Sequence, residues 1–236
     1  MKRNTLLWIT VFAVSMGFFE SSVVIYLRQI IYPAGFAFPL HFIDKNLAST
    51  EMIREAFSLL MILSVSSLTG KSAITKFACF IYCFAVWDIF FYLFLKILTG
   101  WPESFMTTDI LFLLPVMWIG PVLAPLIISL IMILFALLIF YFSSIHPQVH
   151  LENREILMLT AGALLLVISF TADYTRFLFN HYPFINIWTR PANEFIKLSI
   201  NYTPGNFYWA VYLLGIIIIL TGIGLFIKRH IFAHNQ

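Results

Sequence analysis

An all-α integral membrane protein is the fold class this sequence predicts, with about six transmembrane helices in one bundle. Three observations predict it. Of 236 residues, 61% are hydrophobic, 18% aromatic and only 11% charged, whereas a soluble domain runs at about 45–50% apolar and 25% charged. Six stretches approach the ~20 mainly apolar residues that cross a bilayer. The formal charge of +3 is scattered over predicted helix ends and never forms a basic run, so nucleic acid is not an expected partner and the charges read as topology signals.

The first span covers residues 6–27. Its start, MKRN followed by LLWITVFAVSMG, has the look of a signal peptide, but the apolar run continues past Glu20 to Tyr26 with no small-residue cleavage site, so a retained anchor helix is expected. The second span, 52–69, borrows Glu51 to Glu55 at its entrance, and the third covers 77–98. The segment DILFLLPVMWIGPVLAPLIISLIMILFALLIFYF exceeds one straight span, and Pro115, Pro121 and Pro125 interrupt its first third. It predicts a Pro-broken or re-entrant half-helix over 110–120, which Asp109 would cap at its positive end, followed by a fourth span over 122–142. The fifth and sixth spans cover 156–172 and 208–227. All six belong to one domain, 1–236. Two connectors, 28–50 and 173–206, carry Tyr, Trp, Phe, Pro and His and are expected in the headgroup layer. Cys79 and Cys83 lie one turn apart on an apolar helix and read as packing residues.

With both termini cytoplasmic, the short inner loops hold Lys2, Arg3, Lys71, Lys76, Arg154, Lys228 and Arg229 against Glu152 and Glu155. Lys and Arg alone divide equally between the two sides, so this orientation rests on the short loops, where positive charge is the better guide.

Chemistry concentrates in the other half. Asp88 lies in FAVWDIFFYLFLKIL, and a carboxylate at the centre of a membrane helix costs roughly 2.5–3.5 kcal/mol on insertion scales. Glu20 and Glu55 give two more acids at membrane depth, one per helix, and Arg28, Arg54 and Lys96 are available as partners. Intramembrane ionisable groups face a bundle interior or a wet cavity, which predicts a shared polar pocket of Glu20, Arg28, Glu51, Arg54, Glu55, Asp88, Tyr92, Lys96 and Asp109. Asp88, Tyr92 and Lys96 follow at i, i+4 and i+8; Glu51, Glu55, Ser58, Ser66 and Thr69 share a narrow sector of the second helix. Ala13, Gly17 and Ser21 form a small-residue track beside Glu20 that permits close helix approach. Asp173 and Arg176 make an outlying i, i+3 pair. Glu20, Glu51, Glu55 and Asp88 would suffice as oxygen ligands for a hard cation, but the pattern names no metal and no cofactor, and Glu-x-x-His motifs of a di-iron bundle are absent. In the broken segment each proline frees the carbonyl four residues earlier, at Leu111, Met117 and Pro121. Such carbonyls line cavities or coordinate ions in some transporters, although inert kinked packing is the simpler reading.

FESSVVIYLRQIIYPAGFAFPL, Arg54 with Glu55, WDIFFYLFLK, GWP at 100–102 and DILFLLPVMWIGPVLAP together resemble a family of small bacterial polytopic inner-membrane proteins. The resemblance covers roughly residues 18 to 130; it implies a bacterial inner membrane and carries over no activity.

The expected function is therefore a membrane protein with an outward-facing polar, acidic pocket that binds a cation, a proton or a polar headgroup, with membrane lipids as its surroundings. Two alternatives stand beside it. The same residues would serve acid/base or metal-assisted chemistry on a lipid, or buried charges would only fix helix register in an assembly subunit. No nucleophile elbow, zinc-protease motif or phosphate-cradling loop occurs in the sequence.

Overall fold

A computed structural model of the chain describes residues 3–33, 35–41, 44–114, 116–146, 148–181 and 192–232. Six of its helices are long and apolar enough to cross a membrane. They are α1 (Arg3–Ile31), α2 (Lys45–Thr69), α3 (Ala73–Thr99), α4 (Leu123–Ile145), α5 (Asn153–His181) and α7 (Trp209–Phe232), with a short α6 (Ala192–Ser199) before the last. Their outward faces are apolar, for example Leu68, Leu157 and Ile30, as lipid requires.

Helix α3 is the centre of the first group, with α1, α2 and α4 packed around it. The face of α1 that it meets is Ile9, Ala13, Met16, Gly17, Glu20 and Ser21, spaced at three and four residues as one side of a helix. Contact there is at backbone distance, since a Cβ on Gly17 would lie 2.9 Å from Phe90 Cβ and 3.0 Å from Trp87 O. Ser21 Oγ donates to Gly17 O at 2.7 Å and to Phe91 O at 3.0 Å, and Thr10 Oγ1 lies 2.9 Å from Tyr82 OH. Between lipid-facing helices, close approach and such bonds take the place of the hydrophobic effect.

The turns are built by caps. Asp44 accepts the Asn46 N–H at the start of α2, and Ser72 with Thr75 forms a capping box that opens α3. Helix α3 stops at Gly100, whose φ of 75° is left-handed and whose N–H bonds to Lys96 O, a conformation glycine adopts without steric cost.

Next comes a departure from expectation. Residues 110–120 are not a half-helix: β1 (Thr108–Phe112) and β2 (Trp118–Pro121) form an antiparallel hairpin. Asp109 faces Gly120 and Ile110 faces Ile119, with an irregularity before the Phe112–Trp118 pair. Proline chemistry explains the difference. A helix through Pro121 would lose a hydrogen bond and clash with its preceding turn, whereas a strand accepts proline at its end, and Pro125 falls in the first turn of α4, where its missing N–H has no intrahelical partner to lose. Thr107 O and Phe105 O accept from Val122 N and Leu123 N, which ties the hairpin base to α4. Met117 lies in the turn between the strands; Pro115 is outside the described residues.

Helices α5 and α7 form the second group and pack along each other. They cross at Gly162 and Gly215: a Cβ on Gly162 would meet Ile219 Cγ1 at 2.5 Å and Gly215 O at 2.8 Å. Helix α5 also continues to His181, past the expected end at residue 172, and carries Asp173 and Tyr174 into a small cluster. There Tyr202 OH donates to Asp173 Oδ2 at 2.5 Å, Gly205 N donates to the same oxygen, and Tyr174 OH meets Ser199 Oγ at 2.7 Å. Asp173 thus holds the 200–208 segment rather than forming the expected pair with Arg176. Of the second predicted connector, 173–206, residues 182–191 lie outside the described residues, and 173–181 continue α5.

Candidate functional site

A cavity of about 230 Å³ opens where α1, α2, α3, the hairpin, α4 and α5 meet. Its wall is mainly aromatic and aliphatic, with carboxylates set into it: Glu20, Glu51, Glu55, Asp88 and Asp109 all line it, as do Arg28 and Tyr92. The groups do not share one network. They fall into three arrangements with different electrostatics.

In the first, Arg54 joins two acids. Its Nη2 donates to Glu20 Oε1 at 2.8 Å and to Glu51 Oε1 at 2.6 Å, its Nε reaches Glu51 Oε2 at 3.0 Å, and Nη1 also bonds Glu20 Oε2. Ser58, one turn along, takes a longer bond from the same Nη1 at 3.3 Å. A planar guanidinium suits this double fork.

In the second, Asp109 on β1 is 3% exposed and accepts from Arg28 Nη2 at 3.3 Å and from Tyr92 OH at 3.1 Å. The Arg28 guanidinium lies over Trp101, 3.8 Å from the ring centroid, and over Phe36 at 4.6 Å, so cation–π contact supplements the ion pair. Burial pushes the Asp109 carboxyl up to about 6, with Arg28 and Tyr92 pulling it the other way. The expected helix-capping role of Asp109 gives way to this one, because the segment it precedes is a strand.

The third arrangement is a pair of acids, one on α2 and one on α3. Glu55 is 7% exposed and Glu55 Oε2 accepts the Leu113 backbone N–H at 2.9 Å, at the hairpin edge. Asp88 Oδ2 accepts from Ser129 Oγ of α4 at 2.8 Å. Among the described residues neither carboxylate has an ion-pair partner, and each makes a single side-chain hydrogen bond.

Lys96 stands apart from the group it was expected to join. Its Nζ donates to Gly100 O and Pro102 O, both at 2.8 Å, because the left-handed end of α3 turns those carbonyls toward it. Of the proline segment, Pro125 lines the cavity, Pro121 borders a separate small pocket at the hairpin end, and Met117 packs with Ile119, Tyr174 and Tyr202. The four carboxylates expected for a hard cation are divided: Glu20 and Glu51 are held on Arg54, while Glu55 and Asp88 bond to different elements. Among the described residues there is no grouping of three His, Cys, Asp or Glu side chains that would hold a metal ion.

Several wall residues escaped the sequence reading. Phe84, Phe112, Trp118 and Phe170 form a ring series, with Phe84 stacked on Phe112 at 6.1 Å and Trp118 on Phe170 at 6.1 Å. Trp87, next to Asp88, is 5% exposed, and the buried Nε1 atoms of Trp87 and Trp118 have no hydrogen-bond partner among the described residues. Ser129 was hidden in an apolar run of α4 with no periodic signal to mark it. Elsewhere, Glu155, 2% exposed, accepts from Arg229 Nη2 at 2.8 Å and fastens α5 to α7 near the chain ends.

No protein-family model, no curated protein and no solved structure matches this chain.

Proposed function

We propose that the protein is a membrane-embedded binding or permeation protein whose cavity takes a positively charged group. The observation that supports this most directly is the pair Glu55 and Asp88, which line the cavity with no basic partner among the described residues. Five acids border or enter the site against Arg28 and Arg54, so an ionised cavity carries excess negative charge in a poorly solvated place, and a bound cation would offset it. Aromatic faces beside the carboxylates add favourable quadrupoles. In this reading the chain resides in a bacterial inner membrane with both termini in the cytoplasm, the cavity opens toward the outer side, and the aromatic connector between α1 and α2 rests in the headgroup layer.

Thermal unfolding of the full chain in nanodiscs tests this reading with sodium, potassium and ethylammonium added at fixed ionic strength. At least one cation is expected to raise the midpoint for wild type and not for the Glu55→Gln/Asp88→Asn double variant. Equal midpoints with every cation would refute cation binding.

A further inference from the structure

The cavity does not end at its carboxylates. A second hollow of about 410 Å³ lies between the α3–α4 and α5–α7 groups and extends to Leu151 in the turn between α4 and α5. Its walls are side chains such as Phe77, Met132, Phe135, Leu159, Ala163 and Ile219, and no charged residue lines it. Ile128 lines both hollows. On α5, Leu166 borders the groove and Phe170, one turn on, borders the cavity. Along α5 the groove runs from Ile156 to Leu166, about 15 Å at 1.5 Å per residue, which is room for an extended hydrocarbon chain against a wall without charge.

At the cavity end the wall carries Glu55 and Asp88, which have no ion-pair partner among the described residues and call for positive charge. Beyond Ile128 the groove presents no charged side chain. A bare metal cation would answer the carboxylates and leave the groove unfilled. An anionic or neutral lipid would fill the groove and leave the carboxylates uncompensated. A lipid with an ammonium in its head answers both.

We propose that cavity and groove are one continuous site for an ammonium-bearing lipid: the ammonium at Glu55 and Asp88, and one hydrocarbon chain passing Ile128 into the groove. This rests on the cation-binding reading and adds the class of ligand, an amphiphile in place of a soluble cation.

The test uses the full chain in nanodiscs containing either phosphatidylethanolamine or phosphatidylglycerol with a photoactivatable group on the acyl chain, with labelled positions mapped by mass spectrometry. Labelling of groove residues on α4 and α5 is expected to be at least fivefold greater with the ethanolamine lipid. Glu55→Gln/Asp88→Asn should bring it down to the glycerol level. Ile128→Trp, which fills the junction, should abolish groove labelling while ethylammonium still raises the unfolding midpoint; Ala163→Leu gives a second obstruction should Ile128→Trp fail to fold. Equal labelling by the two lipids, or labelling that survives loss of both acids, overturns the proposal. If ethylammonium stabilises wild type while the lipids label equally, the ligand is a soluble cation and only the lipid assignment falls. If neither effect appears, both readings fall.

Discussion

Arg54 of α2 grips Glu20 of α1 through two nitrogens, one bond being 2.8 Å from Nη2 to Oε1, although both helices pack chiefly on α3. The same guanidinium also holds Glu51. Replacing Arg54 by Gln strands the buried carboxylate of Glu20 and the half-buried one of Glu51, and breaking a buried pair in this way costs about 3–5 kcal/mol. The triple variant Glu20→Gln/Glu51→Gln/Arg54→Gln should recover more than half of that loss. Denaturant unfolding in detergent distinguishes the two; equal losses would show that the guanidinium acts through packing alone.

Arg229 makes two contacts of unequal worth. Its bond to Glu155, 2% exposed, is buried, while its contact with Glu152 at 3.4 Å engages a side chain 51% exposed. Glu152→Gln should cost under about 1 kcal/mol, as exposed pairs do, whereas Arg229→Gln should cost about 3–5 kcal/mol by leaving Glu155 unpaired. The same unfolding assay decides, and a ranking in the opposite order would contradict the geometry.

Close helix crossings predict a contrast between glycines. Gly17→Ala drives a methyl group into the α3 backbone and Gly162→Ala into α7, so each should destabilise by about 1–3 kcal/mol. Gly224 has nothing within 4 Å of a built Cβ, and Gly224→Ala should be neutral or stabilise by up to about 1 kcal/mol through helix propensity. Thermal midpoints of the three variants in one detergent provide the check.

Stability should depend on pH through Asp109. Its folded carboxyl lies near 6 against an ordinary 3.8, so between those values the folded chain binds more protons than the unfolded one. The stability that this group contributes is therefore largest below about pH 4 and falls as pH rises toward 6, then levels off. Asp109→Asn removes that slope. Unfolding of wild type and variant from pH 4 to 7 should show wild type losing stability relative to the variant as pH rises through this window; a difference independent of pH, or one of the opposite sign, would contradict a raised carboxyl.

How far the sequence reveals the site depends on the range of the interaction. The sector of α2 that buries Glu55, Ser58 and Ser66 follows from helical period, as does the placement of Asp88 and Tyr92 along one side of α3. Lys96 extends the same stripe, yet a left-handed glycine one turn later supplies carbonyls that capture its ammonium. Period alone does not carry that information. The hairpin is illegible for a related reason: an apolar run with three prolines is too long for one span and is compatible with any structure that satisfies its backbone, and the antiparallel solution depends on pairing across a turn. Partners such as Ser129 for Asp88 and Leu113 N–H for Glu55 join residues far apart in sequence, where no spacing rule operates.

The tight glycine crossing of α5 on α7 has a consequence for biosynthesis. The closest backbone contacts of the second group lie within it, so a chain severed in the turn between α4 and α5 would leave two pieces, each inserting with its own tightest crossings made and the α4–α7 and α5–β2 contacts still to form. Co-expressed halves should therefore reassociate in the bilayer, and during translation the first four spans need not wait for the last two before they settle around α3.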